Sequence, residues 1–311
     1  MEGSASIAKS LGLSSLIIGL TIVSLGTSAP EILVSLNAAL TGAGELAVGN
    51  ALGSNLANVG LVLGITTLVA RLPVQSHLLT QEMPILLAVT ALSGLFLFNA
   101  QLSRFEGWTL LLCIAPIMGL IIYLKRRSLS SKEIEAETDI PDFPINKAVM
   151  LFILGLVLLV ASSRLLVWGA IETATFFGVS PLIIGLTVVA IGTSLPELAA
   201  SVMSALRGHH DIALGNIIGS NILNLLAVMS IPALITPLQI DAAVFQRDFL
   251  VMALLTLTLT ALIGLALWHT KRQAEDKKIG PSIGKPAGVI LLLGYAAYCL
   301  ILVRSGVISM P

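Results

Sequence analysis

Along most of this chain the hydrophobic positions come in long runs and do not alternate with polar ones. An α-helix needs about twenty apolar residues to cross the ~30 Å hydrocarbon core of a bilayer. The pattern predicts spans at Ser15–Thr41, Glu45–Leu68, Gln81–Asn99, Phe105–Lys125, Lys147–Phe177, Pro181–Leu206, Asp211–Ile235, Phe249–Thr270 and Lys285–Val303. Pro30 and Pro196 interrupt two of them, because proline has no N–H and its ring crowds the preceding turn. Gly53-Ser54-Asn55 and Gly219-Ser220-Asn221 put polar groups into two more. The one long polar stretch, Arg126 to Pro144, reads as a solvated linker. The expected molecule is an all-α integral membrane protein with an N-terminal unit over 1–125, a loop over 126–146 and a C-terminal unit over 147–311.

Composition agrees with that picture. With 56% hydrophobic and 11% charged residues, most of the surface is not made for water. The formal net charge is zero, so nothing draws the chain to nucleic acid. Its two cysteines, Cys113 and Cys299, each sit alone in a span and give no support to a disulfide or thiolate site.

The two halves are copies. Gly26-Thr27-Ser28-Ala29-Pro30-Glu31, followed by Gly49 to Asn58, returns 166 residues later as Gly192-Thr193-Ser194-Leu195-Pro196-Glu197, followed by Gly215 to Asn224. Roughly half of the positions from Leu16 to Val69 are identical to their partners in Leu182 to Ile235, without a gap. Met1 to Leu11 align at the same offset with Val167 to Phe177, the end of the run that begins near Lys147. The expectation is therefore that this sequence begins inside its first helix, the complete arrangement being five plus five spans. An odd number per repeat turns the halves upside down relative to each other. Threading the spans puts most Lys and Arg, including Arg71, the Arg126–Lys132 cluster, Lys147, Arg207 and Lys271–Lys285, on one side, and Arg247 and Arg304 on the other. Short cytoplasmic loops are rich in Lys and Arg, so the central loop is expected in the cytoplasm and the C-terminus outside. Inverted repeats with broken mid-membrane helices are the architecture of secondary transporters.

The repeated motif carries the candidate chemistry. A carboxylate inside an apolar span is costly and by default functional, and Glu31 and Glu197 stand in a duplicated frame. Thr27, Ser28, Thr193 and Ser194 add hydroxyl oxygens beside them. Ser54 with Asn58, and Ser220 with Asn224, are four residues apart and share a helix face. The donors are carboxylate, hydroxyl, amide and carbonyl oxygens, which suit hard cations such as Ca²⁺ or Na⁺; zinc or copper would want His or Cys. One divalent ion, two monovalent ions or two protons would neutralise the pair, which suits an exchanger. A cation channel with the same oxygen-lined site is the alternative, told apart by uncoupled conductance. An intramembrane enzyme using Ser28 or Ser194 as nucleophile lacks the His or Lys base it would need.

These residues resemble the cation/calcium exchanger superfamily, specifically bacterial calcium/sodium antiporters of the sodium–calcium exchanger type. The marks are the two G-T-S-x-P-E segments, Gly26–Glu31 and Gly192–Glu197, each followed by G-N-x-x-G-S-N at Gly49–Asn55 and Gly215–Asn221. The resemblance implies a ten-helix inverted-repeat fold in a bacterial plasma membrane, with inorganic cations as cargo and no resident cofactor. It also implies a ligand set of Thr27, Ser28, Glu31, Ser54, Asn58, Thr193, Ser194, Glu197 and Ser220. Asn224 departs from the pattern, because the best-understood sodium-coupled members carry an acid there; the driving ion, Na⁺ or H⁺, stays open on this ground.

Other polar residues read as structural. His209-His210 falls in a short loop, Trp108, Trp168 and Trp268 suit the membrane interface, and Glu82, Glu106 and Asp248 stand at span starts, where water or a helix N-terminus can satisfy them.

Overall fold

A computed structural model describes residues 17, 19–128, 143–176, 181–272 and 280–304 of the chain. The expected helix stump at Met1 to Leu11 and the greater part of the central linker lie outside them. Helix α1 (Gly19–Thr27) and α2 (Ala29–Leu40) form one span bent by 46°, followed by α3 (Gly44–Val69), α4 (Leu78–Leu97) and α5 (Arg104–Leu124). The second half opens with α6 (Ile145–Phe176). Then come α7 (Gly185–Thr193) and α8 (Leu195–Leu206), bent by 43°, and α9 (His210–Ile235), α10 (Val244–Thr270) and α11 (Lys285–Leu302). Leu95, Phe98, Leu112, Leu254 and Leu293 all point outward. Such a belt is stable only where lipid is the solvent.

The core forms where the halves cross. α3 and α9 are almost wholly enclosed, while α5 and α10 show most of their length to the surroundings. The bent span of each repeat packs on the motif helix of the other. A Cβ on Gly53 would lie 2.6 Å from the Leu186 carbonyl oxygen, and one on Gly219 2.5 Å from that of Leu20. Gly19 and Gly185 meet Ile212 and Leu46 in the same way. Small residues here let backbones approach closely, as expected for membrane helices. The turns that join α2 to α3 and α8 to α9 need glycine for another reason. Gly42 (φ 81°) and Gly208 (φ 80°) are left-handed, and the next residue's N–H reaches back five positions, Ala43 to Ala38 and His209 to Ser204, closing each helix end.

Two features were not readable from the hydrophobic pattern. Among the described residues each repeat has three π-helical turns at matching places: Gly19–Val23, Asn58–Val62 and Leu78–Glu82, then Gly185–Val189, Asn224–Val228 and Val244–Phe249. The second feature is a pair of strand clips. β1 (Leu72–Pro73) pairs antiparallel with β4 (Ser282–Ile283), and β2 (Gln101–Leu102) with β3 (Leu238–Gln239). α4 crosses the molecule between β1 and β2, so the clips sit on opposite faces. β1 and β3 follow the motif helices of their respective repeats, and their placement on opposite faces is the inversion itself.

Glu82 and Asp248 correct an expectation. They occupy matching positions in the π-turns that open α4 and α10, and both are buried. Glu82 lies 3.3 Å from His77 Nδ1. Asp248 accepts from Arg247 Nε and Nη2 at 2.7 and 2.9 Å and from Tyr298 Oη at 2.9 Å. Burial of a carboxylate requires such partners, because water is not there to replace them. Glu106 does sit at a free helix start, where the Ser103 N–H and hydroxyl donate to it at 2.6 and 2.8 Å. Tyr298→Phe is expected to lower stability by about 2 kcal/mol, the worth of a hydrogen bond to a charged group. The thermal midpoint in detergent would fall; an unchanged midpoint would show that Arg247 alone satisfies Asp248.

Candidate functional site

The bends build the site. At Ser28 and Ser194 the backbone leaves the helical basin (φ −79°, ψ 3° and φ −82°, ψ 2°). Each helix then restarts with its proline in the first turn, where a missing N–H costs nothing. Glu31 and Glu197 fall in those same first turns, completely buried. A helix N-terminus favours a negative charge there. Neither carboxylate is paired with a Lys or Arg among the described residues.

Crossing of the repeats brings the other candidates around them. Ser28 Oγ, from the first repeat, donates to Glu197 Oε1 of the second at 3.3 Å, and Ser220 Oγ donates to the same oxygen at 3.2 Å. Thr27 Oγ1 lies 3.5 Å from Ser220 Oγ, and Thr193 Oγ1 lies 3.3 Å from Ser54 Oγ. These contacts join Thr27, Ser28, Glu197 and Ser220 in one polar group and Thr193 and Ser54 in a second, which Asn50 ties to the Glu31 backbone carbonyl. Asn58 and Asn224 are fully buried one turn beyond Ser54 and Ser220, each opening a π-turn. Ser194 is buried at the second bend.

The pseudo-symmetry is broken at the acids. Glu197 holds two hydroxyl donors on one oxygen, whereas both oxygens of Glu31 are buried without a hydrogen-bond partner. Ser194 Oγ, which mirrors the Ser28 donor, also lacks one, as do Glu197 Oε2 and both amide atoms of Asn58 and of Asn224. Buried polar atoms are nearly always satisfied. So many unsatisfied oxygens around two carboxylates form a donor set suited to hard cations.

Four further residues join these groups, and two more asparagines lie where the repeats meet; none was singled out as a ligand from sequence. Asn50 and Asn216 bridge the repeats through the threonines. They also hold Ser35 and Ser201, at 3.1 Å in each case. Asn55 Nδ2 donates to the Asn221 carbonyl at 3.2 Å where α3 meets α9, and the Asn55 and Asn221 side-chain oxygens are both buried without partners. The signal was present, since all four asparagines stand in the repeated G-N-x-x-G-S-N segments. His209 and His210 lie apart, at the start of α9.

Comparison with known proteins points the same way. The sequence model of the family described as sodium/calcium exchanger protein matches residues 1–123 and 147–304. CaxA of Alkalimonas amylolytica is 45% identical over 97% of this chain and 92% of its own length. The sodium/calcium exchanger MaX1 of Methanosarcina acetivorans is 30% identical over 97% and 93% of the two chains. A structure of the sodium–calcium exchanger NCX_Mj, soaked with 2.5 mM Na⁺ and 0.1 mM Ca²⁺, superposes with a TM-score of 0.75 at 28% identity, covering 97% of this chain and 90% of that one.

Proposed function

Because this chain belongs to the sodium/calcium exchanger family, we propose that it exchanges Ca²⁺ for Na⁺ or H⁺ by alternating access, with the cations held between Glu31 and Glu197. The observation that carries the reading is that two carboxylates from inverted repeats are fully buried, have no Lys or Arg partner among the described residues, and stand among buried hydroxyl and amide oxygens left without hydrogen-bond partners. Burial makes an empty pair of negative charges expensive, so the site is stable only when loaded with a divalent ion or with two monovalent ions or protons. That requirement couples the movement of one ion to the return of the other. Thr27, Ser28, Ser54, Asn58, Thr193, Ser194, Ser220 and Asn224 supply the neutral oxygens.

Asn224 leaves two central acids, which fits one Ca²⁺ exchanged against two or more monovalent charges. The 1–125 and 147–311 units act as the two inverted halves, with the 126–146 loop cytoplasmic and the C-terminus outside. A bacterial inner membrane fits the name of a relative, the inner membrane protein YrbG of Escherichia coli, which is 38% identical over 95% of this chain.

The test is ⁴⁵Ca²⁺ uptake into proteoliposomes driven by an outward Na⁺ gradient or, separately, an outward H⁺ gradient. Saturable uptake driven by one gradient identifies the counter-ion. Conductance without a counter-ion would make the protein a channel, and no uptake under either gradient would remove Ca²⁺ as cargo.

A further inference from the structure

Two asparagines that touch neither carboxylate group tie the repeats together at the site. Asn50 Nδ2 donates to the backbone carbonyl of Glu31 at 3.2 Å and to Ser35 Oγ at 3.1 Å. A carbonyl can only accept, so this contact fixes which end of the amide is nitrogen. Ser35 Oγ passes its own proton on to the Ala47 carbonyl, 3.5 Å away. The Asn50 oxygen therefore faces the other repeat, where Thr193 Oγ1 donates to it at 3.2 Å. The mirror arrangement holds at Asn216, with Nδ2 toward the Glu197 carbonyl at 3.5 Å and Ser201 Oγ at 3.1 Å. Its oxygen accepts from Thr27 Oγ1 at 3.0 Å. Each threonine has other acceptors in reach, the Ser24 and Ala190 carbonyls at 3.3 and 3.4 Å and the Ser220 and Ser54 hydroxyls at 3.5 and 3.3 Å, but the amide oxygen is the nearest of these in both cases.

We propose that Asn50 and Asn216 are positioning residues that take the hydroxyl protons of Thr193 and Thr27, so that both threonines present only lone pairs to the cation. A hydroxyl has one proton and two lone pairs. With the proton held by an amide, the oxygen is a ligand in the right orientation before the ion arrives, and no reorientation is needed on binding. Without the amide, the proton is free to turn toward the acids, where it competes with the cation. The amide's other end grips the carbonyl of the glutamate in its own repeat, so one side chain aligns ligands from both halves. The proposal rests on the reading of Thr27 and Thr193 as cation ligands.

A double-mutant cycle tests it, using Asn50→Leu, Thr193→Val and the pair, reconstituted as full chains. Half-saturating Ca²⁺ and the maximal uptake rate are measured in proteoliposomes under the gradient that drives wild type. Asn50→Leu is expected to raise half-saturation about tenfold while changing the maximal rate less than about twofold, and the double variant to match Thr193→Val alone. Losses that multiply, or a wild-type half-saturation in Asn50→Leu, would overturn the proposal. Should the leucine variant fail to insert, Asn50→Asp carries the test. Its carboxylate keeps the oxygen that accepts from Thr193, so half-saturation stays at or below the wild-type value, and a rise there overturns the proposal too. Glu31→Gln run alongside separates the two levels. If that variant transports normally, the cation site itself is misplaced; if it is dead while the cycle is additive, only the positioning role falls.

Discussion

Glu31→Gln and Glu197→Gln are each expected to abolish cation exchange while leaving the protein inserted and folded. Glutamine keeps the shape of the side chain and removes one negative charge. With one carboxylate left, a bound divalent ion keeps an uncompensated positive charge in a site from which water is excluded. Breaking a buried charge pair costs about 3–5 kcal/mol, which is at least ~100-fold in affinity at 1.4 kcal/mol per decade. Stability is expected to move the other way. In chelator, the wild-type protein must keep two unpaired acids buried, and each glutamine variant relieves part of that cost. The variants therefore melt at or above the wild-type temperature without Ca²⁺, and Ca²⁺ raises the melting temperature of wild type but not of the variants. Thermal melts in detergent beside ⁴⁵Ca²⁺ uptake would show it. Normal uptake in either variant, or a lowered melting temperature in chelator, would mean that these acids serve packing instead of transport.

Gly53→Val and Gly219→Val should be the most damaging changes away from the acids. An added Cβ at Gly53 meets the Leu186 carbonyl oxygen at 2.6 Å and the Ala190 Cβ at 2.7 Å; at Gly219 it meets the Leu20 carbonyl oxygen at 2.5 Å and Ser24 Oγ at 2.6 Å. The opposing atoms include backbone, so no rotamer change makes room and the helices must separate. Overpacking of this kind costs about 3 kcal/mol or more. Because the same contacts set the distance from Thr193 to Ser54, transport falls with stability. Gly119 is the control. Nothing lies within 4 Å of its added Cβ, and Gly119→Ala gains up to ~1 kcal/mol from helix propensity. Size-exclusion profiles and melting temperatures of the three variants would decide the matter, and a monodisperse, wild-type-like Gly53→Val would refute the close-approach argument.

Much of the architecture was legible because lipid imposes a simple code. Runs of about twenty apolar residues became spans, the duplicated motif located the two bends, and the odd number of spans per repeat gave the inversion that the strand clips display. The π-turns were not legible, since one extra residue in a turn leaves the composition unchanged. The clips were missed because two-residue strands such as Leu72–Pro73 carry no alternation to read. The burial of Glu82 and Asp248 was not legible for a related reason. A span start looks polar in sequence whether it opens into water or, as for Asp248, is enclosed by Arg247 and by Tyr298 fifty residues away. Asn50 and Asn216 stood in plain view within the motif. Their role depends on which end of each amide faces which repeat, and only the crossing of α3 with α7, and of α9 with α1, determines that.

The clips also bear on how the protein is made. β1 emerges from the ribosome long before β4, its partner, and β2 long before β3. During synthesis the first half therefore enters the bilayer with open strand edges at both surfaces. Each of these defects is repaired only by residues of the second half. A chain interrupted after its first repeat would display all of them together, a signature that membrane proteases could recognise, whereas the finished protein hides them in a single closing step.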